Sequence, residues 1–248
     1  MQFDEKWAFV GKKQARCDLE KQADHHLGDC WDHVAFDAEH RLVLGMICGK
    51  RSATRVLALA RKLKEQLQGR VPRLITTDEF AAYQRVLELV FGPQVAGKRG
   101  QKGGNASSGA KLLNYATVHK RRKRGRVVEV TTRAVWGSQK SIAKALKQST
   151  ASTHVNTSFI ERHNATDRHR NARKARRTYR FSKDWSIHLA VGYFTCFSYN
   201  FCWCVRTLAV KQAKGHQQPR TPAMSAGLTD HVWSLDEWLS YPVAGLSG

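Results

Sequence analysis

Asp4, Asp78 and Glu161 are the residues whose type and placement invite chemistry. Each stands in a distinct short word: Asp4 in FDEKWAFVGKK, Asp78 in TTDEFAAY and Glu161 in SFIERHNATDRHR. Glu161 is the oddest of the three, because it heads a run to Arg177 that is otherwise almost entirely basic. Asp78 lies 74 positions after Asp4 and Glu161 a further 83 on, so only a fold can bring them together. Three carboxylates meeting at one point repel one another and stay partly protonated unless a divalent cation neutralises them. Oxygen donors suit Mg²⁺ or Mn²⁺. Two such ions, about 3.5–4 Å apart, activate the attacking oxygen and stabilise the leaving oxygen of an in-line phosphodiester displacement. Taken singly, each acid has an ordinary reading. An Asp at a strand end is a turn residue, Glu161 is a first-turn acid favoured by the helix dipole, and Glu5 and Glu79 are acidic neighbours of the two aspartates.

The elements that must position these acids are legible in the pattern. KWAFVG, WDHVAFD and RLVLGMICG are short, rich in aromatic and branched residues and separated by polar turns, which predicts three antiparallel strands. SATRVLALARKLKEQLQG follows, with Val56, Leu57, Ala60, Leu63 and Leu67 at helical spacing before Gly69 and Pro72. RLITTD reads as a buried strand and EFAAYQRVLELVFG as a second amphipathic helix. GKRGQKGGNASSGAKL is a Gly- and Ser-rich loop. HKRRKRGRVVEVTTRAVWGS gives a basic turn and one more strand, and KSIAKALKQS a short helix. Glu161 opens the next helix, and TPAMSAGLTDHVWSLDEWL forms an appended helical element. The expected division is residues 1–210, including a basic insertion at about 93–126, and an extension over 211–248. An α/β fold with a mixed sheet flanked by helices follows, with Asp4 on its first strand and Asp78 ending its fourth.

Composition limits the partners. Lys and Arg number 42 against 20 Asp and Glu, a formal charge of +22 over 248 residues, which marks an electrostatic footprint for a polyanion, nucleic acid before an anionic membrane. Hydrophobic content of 42% excludes a disordered basic tail. The uncharged stretch from Trp185 to Val205 has the length of a membrane span, but Ser186, His188, Thr195, Ser198 and Asn200 are spread along it, so a buried helix is expected instead. The six cysteines show no disulfide framework, which fits a reducing cytosol, and MQFDEKW lacks the pattern of a secretion signal. Cys17, His25, His26, Cys30 and His33 are zinc-ligand types without a CxxC knuckle, so an ordinary hairpin loop is the expectation there.

Five ordered words, FDEKWAFVGKK, TTDEFAAY, SFIERHNATDRHR, RTYRFSKDWSIH and TPAMSAGLTDHVW, together resemble the transposases of bacterial insertion sequences of the insertion-sequence-one family, within the DDE, ribonuclease-H-like superfamily. The resemblance runs from Asp4 to about Trp238. It implies a ribonuclease-H-like sheet, an acidic triad of Asp4, Asp78 and Glu161 holding two Mg²⁺ or Mn²⁺ ions, and cleavage and strand transfer of DNA at element ends. It also implies at least a dimer during synapsis, work at the nucleoid in the cytoplasm, and a zinc-ribbon and helix-turn-helix reader supplied upstream, since Met1 lies three residues before the first acid. Near Asp167 and His169 the family commonly has a Leu-type residue and a Gln, and Leu-Ser where Tyr179 and Arg180 stand. These departures bear on local DNA contacts rather than on the triad.

Around that triad the sequence offers a basic surface. On a helix, Glu161, Ala165, Arg168 and Ala172 share one stripe. His163 and Asn164 either orient a scissile phosphate or water or form a plain surface pair. Arg170, Arg173, Lys174, Arg176 and Arg177 read as phosphate clamps, joined by Lys120, Arg121, Arg122, Lys123, Arg124, Arg126 and Lys183. A metal-dependent nuclease or junction resolvase on the same fold, and an inactive DNA-binding remnant, are the alternative readings.

Overall fold

The computed structural model describes residues 1–92, 113–212 and 215–242. In chain order, β1 spans Gln2–Val10, β2 Gly28–Asp37, β3 Leu42–Gly49, α1 Ala53–Gln66, β4 Ile75–Thr77 and α2 Ala81–Phe91. The second half gives β5 Tyr115–Lys123, β6 Arg126–Trp136, α3 Gln139–Lys147, α4 Ser158–Arg170 and α5 Trp185–Cys202. It ends with β7 Val210–Lys211, β8 Gln217–Gln218, α6 Pro222–Ser225 and α7 Leu235–Ser240. The first six strands form one mixed sheet in the order β3-β2-β1-β4-β5-β6. Strands β1, β2 and β3 are antiparallel neighbours, whereas β4 runs parallel to both β1 and β5. The architecture is therefore α/β, with helices packed on both faces of a mixed sheet.

Period-two alternation divides the sheet between two cores. Phe3 of β1 and Ala35 of β2 face Val56, Leu59 and Leu63 of α1 and Tyr83 and Leu87 of α2. Val34 and Phe36 of β2, with Met46 of β3, face Ile160 of α4 and Cys196 and Tyr199 of α5. Ser52 and Asp184 cap α1 and α5 by accepting backbone N–H bonds from Arg55 and Ile187. No helix among the described residues is long and apolar enough to cross a membrane. The stretch from Trp185 is instead a helix lying against β3, buried on the face that carries His188, Cys196 and Tyr199 but exposed at Ile187 and Tyr193, and so only partly the buried helix expected.

Two expectations need correction. The basic word HKRRKRG is not a turn: its first part completes β5, which pairs with β6 from Tyr115↔Trp136 to Lys123↔Arg126. The turn itself is only Arg124 and Gly125, both with positive φ (50° and 79°), the geometry of a tight two-residue hairpin. The 93–112 part of the expected basic insertion lies outside the described residues, and the remainder is this hairpin. The second correction concerns α4, which ends at Arg170. Ala172 and the cations from Arg173 to Arg177 therefore sit on a following non-helical segment, not on the stripe with Glu161. The C-terminal element adds the short β7–β8 pair to its helices and packs on α5 through Phe194 against Trp238 and Phe201 against Trp233.

Candidate active site

Helix α4 lies along β1 with its polar residues in step with those of the strand. Buried residues recur at Ile160, His163, Asn164 and Asp167, the spacing of one helical face. On the strand, Gln2, Asp4 and Lys6 alternate onto the same side. The Ile160 N–H donates to Gln2 Oε1 at 2.9 Å, Asn164 Nδ2 donates to Asp4 Oδ2 at 2.8 Å, and Lys6 donates to Asp167. Three successive contacts thus fix the helix register, and the middle one places Glu161, Ala165 and Arg168 beside Asp4.

Asp78 reaches the same place from the end of β4, where its Oδ1 accepts the Phe80 N–H at 3.0 Å. Ligand oxygens of Asp4, Glu5 and Asp78 lie within 4.8 Å of one another. Glu161 lines the same cleft but is held slightly apart: Thr157 Oγ1 donates to its Oε1 at 2.6 Å, and Lys120 of β5 pairs with it. The cleft, about 890 Å³, is walled by these acids and by Lys120, Arg122, Arg168 and Arg176. Glu5 was not expected in it, because strand alternation turns its side chain to the other face. Its oxygens accept from Tyr83 Oη at 2.8 Å and Arg51 Nε at 2.7 Å. The only trace in the sequence is its adjacency to Asp4.

The acids of this cluster crowd one another. Burial pushes the Asp4 carboxyl up, and the negative charges of Asp78 and Glu5 add to it, leaving it at about 7. Burial and Asp78 also raise Glu5, against the opposing bonds from Tyr83 and Arg51. Asn164 Oδ1 and Arg168 Nε are buried beside the acids without a hydrogen-bond partner among the described residues. Oxygen donors drawn together at the cost of their own ionisation fit one or two hard divalent ions, with Asp4 and Asp78 as the inner pair and Glu161 in reach once Lys120 releases it.

The cations expected to meet DNA divide into three groups. Lys120, Arg122, Arg168 and Arg176 line the acidic cleft together with Asn164. Arg173, Arg176 and Arg177 line an adjoining cleft floored by Trp7, Phe9 and Phe181, beside which Lys183 lies over the Phe181 ring. Lys123, Arg124 and Arg126 are exposed on the hairpin, where Arg121 pairs with Glu129. The remaining three turn inward and are corrected here. Lys174 is 3% exposed and pairs with Asp32 at 2.5 Å, so it cannot clamp a phosphate. Its ammonium reaches that depth because position 192 of α5 is glycine, where a Cβ would stand 2.6 Å from it. His163 stacks on Phe36 and meets Tyr199, and burial lowers it to about 3, a neutral core imidazole turned away from the acids. Arg170 donates to Thr195 O at 2.7 Å and to Ser198 Oγ at 3.2 Å, tying α4 to α5.

Asp167, where the sequence departs from the family pattern, is not a DNA contact either, being buried against Lys6. The zinc-ligand types of the β1–β2 connection do not converge among the described residues: His25 bonds Leu19 O, His33 bonds Lys50 O, and Cys17 bonds Lys13 O. Comparison with protein-family models, with curated proteins and with solved structures gives no match.

Proposed function

We propose that this chain is a DDE transposase on a ribonuclease-H-like fold, cleaving DNA at an element end and joining the freed 3′-hydroxyl to target DNA. The observation that carries the reading is the convergence of Asp4 from β1, Asp78 from the end of β4 and Glu161 from α4 on one cation-rimmed cleft. That convergence has the strand neighbours and crossing helix that the five-word resemblance implies. Asp4, Asp78 and Glu161 would hold Mg²⁺ or Mn²⁺, which when bound supplies an activated oxygen nucleophile and charge relief at the leaving oxygen. Asn164 orients the Asp4 carboxylate through its 2.8 Å bond. Arg168 and Arg176 stand where they neutralise phosphates flanking the reacting one. Lys120, which pairs with Glu161, would be available to a phosphate if Glu161 ligated a metal. Duplex DNA is the partner, and joining two ends calls for a second copy of the chain.

The test is a labelled duplex with a recessed 3′-hydroxyl, a supercoiled target and Mg²⁺, with joined products read on a gel. Asp4→Asn, Asp78→Asn and Glu161→Gln each reduce joining to background while duplex affinity stays the same or rises slightly, since each removes a metal ligand and one negative charge beside phosphate. Near-normal joining by any of the three sinks the triad. Cleavage without joining by the unaltered chain moves the assignment to a nuclease or resolvase.

A further inference from the structure

A second group of metal-ligand types lies under α5, apart from the acidic cleft and made of different donors. Alternation places Cys30 and Asp32 on one face of β2, and the β2–β3 register sets Cys48 directly opposite Asp32. Helix α5 lays His188 over them. The ligand atoms of Cys30, Asp32 and His188 lie within 4.8 Å of one another, and Cys48 Sγ stands at the edge of that group, farther from His188, donating to Asp32 Oδ1 at 2.9 Å and neighbouring the Cys30 thiol. All four residues are buried, with exposures of 0% for Cys30 and Asp32, 6% for Cys48 and 1% for His188.

The imidazole of His188 points to a ligand. Its Nδ1 is 2.8 Å from Ser182 Oγ, whereas its Nε2 is buried beside the Cys30 thiol without a hydrogen bond of normal geometry to any described residue. A buried polar atom left unpaired costs about 1–3 kcal/mol. A hydroxyl accepting from Nδ1–H fixes the tautomer whose Nε2 lone pair faces the thiols, the outer-shell arrangement of a metal-binding histidine.

Charge decides whether a cation can enter so dry a place. Asp32 Oδ2 is shared by Lys174 at 2.5 Å and Lys6 at 3.3 Å, and Lys6 also pairs with Asp167. Two ammonium groups and two carboxylates already balance. A divalent ion that displaces both thiol protons adds two positive charges and two negative ones, so the cluster stays neutral, as a buried ionic group must. The two protons pass to solvent, and Asp32 Oδ1, no longer accepting from the Cys48 thiol, is free to ligate. Two thiolates, an imidazole and a carboxylate form a closed tetrahedral donor set for zinc rather than for magnesium.

We propose that Cys30, Cys48, His188 and Asp32 bind one structural Zn²⁺ that pins α5 to β2 and β3. Through Asp32, Lys6 and Asp167 this site also braces α4, the helix that carries Glu161. It does not depend on the reading of the acidic cleft.

The full chain, expressed with zinc and purified without nickel or chelators, is expected to carry about one zinc per chain by elemental mass spectrometry. Replacement by Co²⁺ is expected to give the intense visible bands of tetrahedral thiolate–imidazole cobalt. Cys30→Ser, Cys48→Ser and His188→Gln lose the metal and the bands, whereas Cys204→Ser, at an exposed thiol, and Asp4→Asn, in the acidic cleft, keep both. Because a ligand variant can fail to fold, the unaltered chain is also melted with a zinc-selective chelator while Mg²⁺ is held constant, and a lower melting temperature is expected. Zinc-free folded protein, full zinc content in both cysteine variants, a melting temperature indifferent to the chelator, or a Cys30–Cys48 disulfide in place of metal each overturns the proposal.

Discussion

At Asp4 the surroundings disfavour the charge that the proposed chemistry needs. Burial, then Asp78 and Glu5, hold its carboxyl at about 7 against a usual value of 3.8. A group whose folded pKa lies above its unfolded one stabilises fully below the unfolded value and loses that contribution as pH rises through the folded one. In metal-free protein, Asp4 therefore costs stability increasingly from pH 4 to pH 8. Asn at this position carries no charge and can still accept from Asn164. Thermal unfolding in EDTA is expected to give nearly equal melting temperatures for the unaltered chain and Asp4→Asn near pH 4. By pH 8.5 the variant is expected to melt higher, by about 2–4 °C for each kcal/mol of that cost at this chain length. Millimolar Mg²⁺ at pH 8.5 raises the unaltered chain more than the variant. A difference that does not change with pH removes charge crowding as the reason for a metal.

Among elements, the buried ions joining β1, β2, α4 and the segment after α4 separate structural cations from those lining the clefts. Burial pushes the Asp32 carboxyl up, and Lys174 and Lys6 outweigh it, holding the group well below the usual carboxylate range. Removing one partner of a buried pair leaves an uncompensated charge and costs about 3–5 kcal/mol. Lys174→Met is expected to lower the unfolding free energy measured in urea by that order, and Arg177→Ala, at an exposed position, to leave it within about 0.5 kcal/mol. DNA affinity responds the other way, falling for Arg177→Ala and unchanged for whatever Lys174→Met remains folded. This division was not legible in sequence, because the run from Arg168 to Arg177 has one composition and the partner that buries Lys174 lies 142 positions away. Helices α1 and α2 were legible because each buries one face and so carries a clean period, and strands β1 to β3 because each is a short run rich in aromatic and branched residues, buried on both faces and bounded by polar turns. β5 was not: its apolar half is only Tyr115 to Val118, and its basic half has the composition of a turn. That Asp4, Asp78 and Glu161 line one cleft was expected from their motif words, while Glu5, whose carboxylate reaches the cluster from the opposite face of the strand, carried no periodic signal.

Across the whole molecule the charge of +22 is not spread evenly over chemistry. Lys120, Arg122, Arg168, Arg173, Arg176 and Arg177 line two adjoining clefts, one of which holds the acids. Arginine and lysine grouped around a cleft meet phosphate oxygens, which position a duplex without reading it. Each phosphate neutralised lowers log affinity by about 0.9 per decade of salt, so six contacts imply a slope near −5. The chain is therefore expected to bind unrelated duplexes with that slope and with less than about tenfold preference between them, well below the 10³ or more that separates specific from non-specific sites. Fluorescence anisotropy with two duplexes of different sequence, titrated from about 50 to 300 mM salt, measures both quantities. Charge reversal at Arg173, Arg176 and Arg177 together is expected to make the slope shallower by about three contacts' worth. A slope near zero would mean that the clefts are merely solvated, and a strong preference for one duplex would mean that side chains of this chain enter a groove and read base edges.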